Sequence, residues 1–244
     1  MPTRPEVGEV DSAAIRSNVD RLRERIAASC RRASRADSEV TLIAVTKTFP
    51  PDALLAAMSA GVTDFGENRV QELLQKAEAV PGLKTGGDVR WHMIGHLQRN
   101  KARDVVHTVD LFHALDSERL ARELSGRAEQ QGIVFPCLVQ VNTSGESSKS
   151  GVAPEKVHRL LEAIKNHRSL KILGFMNIAA PAEDPEAVRP EFRVLREMRD
   201  RLSPEYPEYD LDVLSMGMSQ DFEVAIEEGA THVRVGSSIF GHRE

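Results

Sequence analysis

"TLIAVTKTFPPDALLAAMSAG", residues 41–61, contains a predicted strand followed directly by a predicted helix. Residues 41–46 are apolar or β-branched, which is the composition of a buried strand, and Lys47 follows as its last residue. After a proline pair, residues 52–60 have the composition of a helix, and Gly61 is a typical helix-ending residue. The segment therefore predicts one βα unit whose strand ends on an ammonium group.

The same alternation continues along the chain and gives eight predicted strands with predicted helices between them. These strands lie in "TLIAVTK", "TDFGEN", "VRWHMIG", "LFHALD", "VFPCLVQVN", "KILGFMNI", "LDVLSMG" and "THVRVG". Alternating β and α units indicate a parallel sheet. Eight units in about 200 residues are typical of a closed (β/α)8 TIM barrel. An open, doubly wound sheet is the alternative, but the absence of a domain break favours closure.

An additional helix precedes the barrel. Ile15, Val19, Leu22 and Ile26 recur at spacings of three and four, which predicts an amphipathic helix over about residues 11–34, capped by Asp11 or Ser12. The barrel itself is expected over about residues 40–243. We therefore expect residues 1–244 to form a single domain.

Composition and charge exclude several classes of function. The chain has 244 residues, a net charge of −5 and a pI near 5.9, so there is no overall basic field to attract nucleic acid or an anionic membrane. Cys30 and Cys137 lie far apart, without the spacing of a zinc site or a disulfide scaffold. No apolar leader opens the sequence, and no stretch of about 18 uncharged apolar residues occurs. These features predict a soluble cytoplasmic protein without a metal.

Polar and small residues follow most of the predicted strands. Since the carboxyl ends of the strands of a parallel barrel meet at one mouth, where barrel active sites lie, these residues form one candidate site. They are Lys47, Glu67, Asn68, His92–His96, Asp116, Asn142, Asn177, Ser215–Ser219 and Gly236–Ser238.

Lys47 has two interpretations. In the first, it is a solvated lysine at the end of a strand. In the second, it is partly desolvated in the barrel mouth, and its neutral amine forms a Schiff base with a carbonyl compound. The lysine alone does not decide between them.

The loops after the seventh and eighth strands predict a phosphate site. "LSMGMS" places Ser215 and Gly217 at one strand end, and "VRVGSS" places Gly236 and Ser237 at the next. Small residues at these two loops let backbone N–H groups approach phosphate oxygens, which is a recurrent arrangement in TIM barrels. The alternative is that the glycines only turn the chain.

Arg234 stands out two residues before Gly236. It is flanked by Val233 and Val235, so that its side chain points into the barrel if the valines face the helices. A buried arginine requires an acceptor, and a carboxylate inside the barrel is one of its expected partners.

Several motifs in the same order give the chain a resemblance to a known family. "AVTKTFP", "FGENRVQE", "WHMIGHLQRNK", "VNTSGESSKSGV" and "LSMGMSQDFEVAIEEGATHVRVGSSIFG" are similar to those of the pyridoxal phosphate homeostasis proteins, single-domain relatives of the alanine racemase N-terminal barrel. The resemblance runs from about residue 12 to 243.

This resemblance implies a cofactor, a role and a set of site residues. The cofactor is pyridoxal 5′-phosphate, held by Lys47 as a Schiff base, and the role is intracellular cofactor homeostasis by a monomer that supplies apo-enzymes. The implied phosphate ligands are Ser215, Gly236 and Ser237. Arg234 is expected to face the pyridine nitrogen, and Asn68 to lie beside the ring.

The alternative function is that of an amino-acid racemase that uses the same cofactor. Racemisation needs an acid/base group on each face of the substrate Cα, and alanine racemases supply the second from a tyrosine of another domain. Tyr206 and Tyr209, the two tyrosines of this chain, are expected on the barrel face opposite Lys47, and no residues remain after the eighth strand for a further domain. A non-catalytic carrier is therefore favoured.

Three further hypotheses follow from single features. A cofactor-free Schiff-base aldolase is a third possible function, and it predicts a colourless protein. Lys149, in the loop "SGESSKSG", is a candidate for a second, transient cofactor site. His92 and His96 have the i, i+4 spacing of a helical metal pair, but "WHMIGH" has the pattern of a strand and turn, which does not favour a metal.

Overall fold

Eight strands alternate with helices along nearly the whole chain. The computed structural model describes residues 10–79, 89–146 and 149–241. The strands are β1 (Thr41–Val45), β2 (Asp64–Glu67), β3 (Arg90–Met93), β4 (Leu111–Leu115), β5 (Phe135–Gln140), β6 (Leu170–Met176), β7 (Val213–Ser215) and β8 (His232–Val235). The helices are α1 (Ser12–Arg32), α2 (Pro51–Ser59), α3 (Val70–Ala79), α4 (Ala102–Thr108), α5 (Glu118–Gln131), α6 (Val157–Ile164), α7 (Arg189–Leu202), α8 (Phe222–Glu227) and α9 (Ser237–Phe240).

The strands form a closed parallel barrel in the order β1 to β8, and β1 pairs with β8 to complete the ring. This confirms the predicted (β/α)8 barrel and excludes the open sheet. The predicted end of the barrel, residue 243, lies outside the described residues. Large side chains such as Phe65, Trp91 and Phe112 are fully buried in the barrel wall.

The predicted N-terminal helix is confirmed as α1. Asp11 caps it, since its Oδ1 accepts a hydrogen bond from the backbone N–H of Ala14 at 2.9 Å. The predicted apolar side chains, from Ile15 to Ile26, are buried, and the helix packs against α2, α8 and α9. It therefore lies across the helices that flank the first and last strands.

The first strand is shorter than predicted. β1 ends at Val45, and the residue after Lys47, Thr48, has a φ of 66°. This left-handed conformation is uncommon for a residue other than glycine, and it turns the chain out of the strand direction. Lys47 therefore lies on a turn at the barrel mouth.

No helix in the described part of the chain combines the length and the hydropathy that crossing a bilayer requires.

Candidate functional site

A cavity of about 740 Å³ opens at the carboxyl ends of the strands. Five of the six predicted site residues line it: Lys47, Asn68, Arg234, Gly236 and Ser237. Ser219, Lys149 and Asp221 also contribute to its lining. The structure thus brings together, on one surface, residues from the first strand region and from the segment after the last strand.

The backbone on both sides of Lys47 is fixed by groups from β2 and α3. Thr46 donates its hydroxyl hydrogen to Glu67 Oε1 at 2.5 Å, and its carbonyl oxygen accepts from Lys76 Nζ at 2.6 Å. On the other side, the N–H of Thr48 donates to Glu72 Oε2 at 2.7 Å. These contacts hold the strained turn and therefore determine where the lysine side chain starts.

Glu67 and Lys76 form a buried ion pair beneath this turn. Lys76 Nζ lies 2.5 Å from Glu67 Oε1, and the two side chains are 6% and 0% exposed. Burial raises the pKa of Glu67, although the hydrogen bonds from Lys76 and Thr46 act in the opposite direction. The position of Glu67 at the mouth was predictable from the sequence, but its partner Lys76 was not, because their nine-residue spacing is not a recognisable motif.

Asn68 reaches the cavity because Gly95 lets the end of β3 approach it closely. A Cβ atom at Gly95 would lie 2.3 Å from the backbone oxygen of Asn68 and 2.8 Å from its Cα. Any side chain at this position would displace Asn68. Gly95, within the predicted range His92–His96, is therefore a site-forming residue because of this close approach.

The phosphate end of the predicted site lies where β7 and β8 leave the barrel. Here Ser219 Oγ accepts long hydrogen bonds from the backbone N–H groups of Gly236, at 3.3 Å, and Ser238, at 3.4 Å. Gly236 also packs closely on β1, where an added Cβ would lie 3.3 Å from the oxygen of Val45. Backbone donors and small side chains therefore converge at this rim, as an anion site requires.

Ser215 does not reach the rim, contrary to the sequence-based expectation. Its side chain is fully buried, and its Oγ accepts from Arg234 Nη1 at 2.7 Å and contacts His113 Nδ1 at 2.9 Å. The chain turns after β7 at Gly217, whose φ of 90° requires glycine, and this turn carries Ser219 to the cavity instead. Ser219, four residues further on, takes the position that was expected for Ser215.

Arg234 points into the barrel, as predicted, and is 4% exposed. Within the described residues, its side chain donates to Ser215 Oγ and, at 2.6 Å, to the backbone oxygen of Asn177, and the expected hydrogen bond to a carboxylate is not present. Burial lowers the pKa of Arg234 to about 10, and the nearby charge of Asp221 opposes this shift. The guanidinium therefore remains protonated at neutral pH.

Lys149 approaches the same cavity from the loop after β5. Its Nζ lies 2.9 Å from Glu146 Oε1, and the Asn142 side chain bonds the carbonyl oxygens of both residues. The position of Lys149 is thus set by an ion pair within its own loop, at the edge of the cavity.

The two histidines with helical metal spacing lie in different environments. His92 is buried inside the barrel and contacts Asp64 and His113, whereas the His96 side chain is 61% exposed, 3.7 Å from Asp116. In the described part of the chain, no three side chains of metal-binding type are grouped as a metal site.

The tyrosines lie away from the cavity. Tyr206 Oη bonds His158, and Tyr209 Oη donates to the carbonyl oxygen of Leu161, so both pack against α6. The cavity lining does not include either of them. This agrees with their predicted location on the other side of the barrel.

Comparison with known proteins gives close matches across the chain. The family model "Alanine racemase, N-terminal domain" matches residues 10–244. The "Pyridoxal phosphate homeostasis protein" of Aquifex aeolicus is 46% identical over 226 residues, which are 93% of this chain and 97% of the relative. The protein of the same name from Vibrio cholerae is 41% identical over 238 residues, covering 95% and 97%.

Solved structures agree with these matches. PipY of Synechococcus elongatus, whose structure was determined with PLP bound, is 34% identical with a TM-score of 0.81, covering 93% of this chain and all of PipY. Alanine racemase from Corynebacterium glutamicum is 15% identical with a TM-score of 0.72, and the match covers 96% of this chain and 63% of the racemase. The second likeness shows the shared fold alone.

Proposed function

From its membership of the pyridoxal phosphate homeostasis protein family, we propose that this chain binds pyridoxal 5′-phosphate on Lys47 and acts in intracellular cofactor homeostasis. One observation carries the assignment of the site. A single cavity is lined by Lys47, on the turn after β1, and by Gly236 and Ser237, directly after β8, the strand that pairs with β1.

The residues of the cavity fit an aromatic aldehyde with a phosphate group. Lys47 would provide the covalent link, which is the chemistry that this cofactor supplies when it is bound to a lysine. Ser219, Gly236 and Ser237 would hold the phosphate, with Ser219 in place of the expected Ser215. Asn68 would lie beside the ring.

Arg234 favours a carrier over a catalyst. Its guanidinium lines the cavity and is a donor only, so it would leave a pyridine nitrogen facing it unprotonated. Enzymes that need the cofactor as a strong electron sink commonly place an acidic partner at this nitrogen. With Arg234 in that position, the bound cofactor would stabilise a carbanion poorly.

Racemase activity is the alternative, and the groups around the cavity argue against it. A racemase needs a second acid/base group opposite the lysine. Tyr206 and Tyr209 are hydrogen-bonded against α6, and Lys149 is paired with Glu146. Neither tyrosine is therefore placed for the role that the tyrosine has in alanine racemases, and Lys149 is engaged within its own loop.

The test is an absorption spectrum of the protein mixed with pyridoxal phosphate. We expect a visible band that is lost on borohydride reduction, with the reduced label on the peptide that contains Lys47. A Lys47→Ala variant should show no band, whereas Lys165→Ala, which removes an exposed lysine directly after α6, should behave as the unmodified protein. A label on other lysines, or no band, would contradict the proposed function.

A second assay separates the carrier from the racemase. The loaded protein is incubated with single-enantiomer alanine, serine or glutamate, followed by chiral chromatography. We expect no turnover, and racemisation at about 1 s⁻¹ or faster, the usual range of enzymes, would support the alternative.

We further propose that apo-enzymes receive the cofactor from a monomer in the cytoplasm. Transfer to an apo-aminotransferase can be followed by the activity that the recipient gains. A Lys149→Ala variant that transfers at an unchanged rate would remove the role of Lys149 as a second, transient site. Sedimentation velocity would test the monomer.

A further inference from the structure

A chain of hydrogen bonds crosses the interior of the barrel from the cavity to the opposite end. It runs from Arg234 Nη1 to Ser215 Oγ (2.7 Å), from Ser215 to His113 Nδ1 (2.9 Å), from His113 Nε2 to His92 Nδ1 (3.0 Å), and from His92 Nε2 to Asp64 Oδ1 (2.8 Å). The five residues come from five different strands, and each is at most 4% exposed. The site described above uses only the first of them.

Both ends of this chain are fixed in their hydrogen-bonding roles. The guanidinium of Arg234 can only donate, and the carboxylate of Asp64 can only accept. If both imidazoles are neutral, one arrangement satisfies every contact. Ser215 donates to His113 Nδ1, His113 donates from Nε2 to His92 Nδ1, and His92 donates from Nε2 to Asp64. Reversing the central bonds would leave His92 Nε2 without a hydrogen, facing a carboxylate.

The reverse direction requires a doubly protonated His92. Its charge would have to share the Asp64 carboxylate with Arg90, whose Nη2 donates to Asp64 Oδ2 at 2.7 Å. It would also place a second buried cation in the same interior as Arg234. The titratable groups near the histidines are Arg90 of β3, Asp64 of β2, Asp110 just before β4, and Arg234 and His232 of β8. The His232 ring is 6.2 Å from that of His92.

The direction of the bonds determines their electrostatic effect. In each of these hydrogen bonds, the donated hydrogen points towards Asp64 and the acceptor lone pair points back towards Arg234. The aligned dipoles therefore stabilise a cation at the cavity end and an anion at the far end. This explains how Arg234 stays protonated although no carboxylate is hydrogen-bonded to it within the described residues.

We propose that Ser215 and His113 are positioning residues that hold Arg234 as a charged, oriented donor at the base of the cavity, with Asp64 as its distant counter-charge. The ligand class is an aromatic ring with an acceptor nitrogen, and in this respect the inference rests on the proposed function. Asp64 thus belongs to the site although it lies at the opposite end of β2 from the cavity.

The first test uses the protein without cofactor, and so does not depend on the proposed function. Long-range ¹H–¹⁵N correlation spectra of labelled histidine distinguish the two neutral tautomers from the imidazolium. At neutral pH we expect His92 and His113 both to be neutral, with hydrogen on Nε2. A hydrogen on His113 Nδ1, or a doubly protonated His92, would overturn the assigned direction.

The second test compares variants that carry pyridoxal phosphate. Ser215→Ala removes the acceptor of Arg234, and His113→Leu removes the acceptor of Ser215. We expect both to shift the absorption maximum and the pH at which the chromophore changes, and to release the cofactor faster by on the order of tenfold, as the loss of a charged hydrogen bond would give. His232→Leu is the matched control, because the His232 ring lies 6.5 Å from the His113 ring and is not a member of the hydrogen-bond chain.

Asp64→Asn provides a variant of nearly unchanged side-chain shape. The amide oxygen still accepts from His92, but the counter-charge is lost. We expect a spectral shift in the same direction as for Ser215→Ala, with the Nε2–H tautomers retained. Spectra and release rates equal to those of the control would overturn the positioning role. A colourless unmodified protein would instead contradict the proposed function. The tautomer experiment would still determine the direction of the hydrogen bonds between Arg234 and Asp64.

Discussion

Replacing Lys76 by methionine tests whether the buried pair under Lys47 is as important as its geometry indicates. Methionine keeps the length and apolar stem of the side chain but removes the ammonium that contacts Glu67 Oε1 and the Thr46 oxygen. Both partners are almost completely buried, so Glu67 would be left as a buried, unpaired carboxylate, and among the described residues its Oε2 already has no hydrogen-bond partner.

Removing one partner of a buried ion pair costs about 3–5 kcal/mol of unfolding free energy. For a domain of this size, 1 kcal/mol corresponds to about 2–4 °C in Tm, so we expect a decrease of roughly 6–20 °C. The loss should become smaller as the pH is lowered, because burial already raises the pKa of Glu67 and protonation removes its charge. The measurements are urea unfolding curves and thermal scans at several pH values.

Two further variants make the result specific. Lys165→Met breaks an ion pair with a similar distance, 2.6 Å, but its partners are 45% and 44% exposed, so we expect little change in stability. Adding Glu67→Gln to Lys76→Met removes the stranded charge, and should recover roughly 2 kcal/mol. A cost for Lys76→Met below about 1 kcal/mol, or one that does not depend on pH, would refute the reasoning.

The remaining predictions concern other parts of the barrel. Gly95→Ala should destabilise the protein by roughly 3 kcal/mol and weaken cofactor binding, because its Cβ would collide with the Asn68 backbone. Gly126→Ala, with open space around it in α5, should instead stabilise the protein by about 0.5–1 kcal/mol. Calorimetry would measure both stabilities, and titration with the cofactor would measure its binding. Burial would raise the pKa of Asp64, but its hydrogen bonds lower it from 3.8 to about 2, so Asp64 contributes about 2 kcal/mol at neutral pH that is lost as the pH falls from about 4 through 2. The difference in unfolding free energy between the unmodified protein and Asp64→Asn should decrease through the same window, and a constant difference would contradict the assignment. Asp11→Ala removes the N-cap of α1 and should cost about 1 kcal/mol by urea unfolding, with the cavity unchanged.

The alternation of strands and helices made the barrel predictable, because each βα unit has its own local signal. That signal also placed Lys47, Asn68, Gly236 and Ser237 at one mouth, since strand ends in a parallel barrel share one face. The inward direction of Arg234 followed in the same way from the two valines beside it.

Contacts between distant strands could not be read from the sequence. Ser219 rather than Ser215 reaches the cavity because of the turn at Gly217. The sequence pattern of the loop does not show which of the two serines faces the cavity. The partners of Arg234 depend on how β6, β7 and β8 align in register, so a carboxylate was expected where a hydroxyl and a backbone oxygen are found. Lys76 was missed for the same reason, because α3 folds back over the turn after β1.

Closure of the barrel through β1 and β8 also has a consequence for protein synthesis. Lys47 follows the first strand and the rim around Gly236 follows the eighth, so a nascent chain on the ribosome cannot form the complete cavity until β8 has emerged. In the proposed function, loading with a reactive aldehyde would then follow translation, and a truncated polypeptide would display the amine without the pocket that shields the aldehyde.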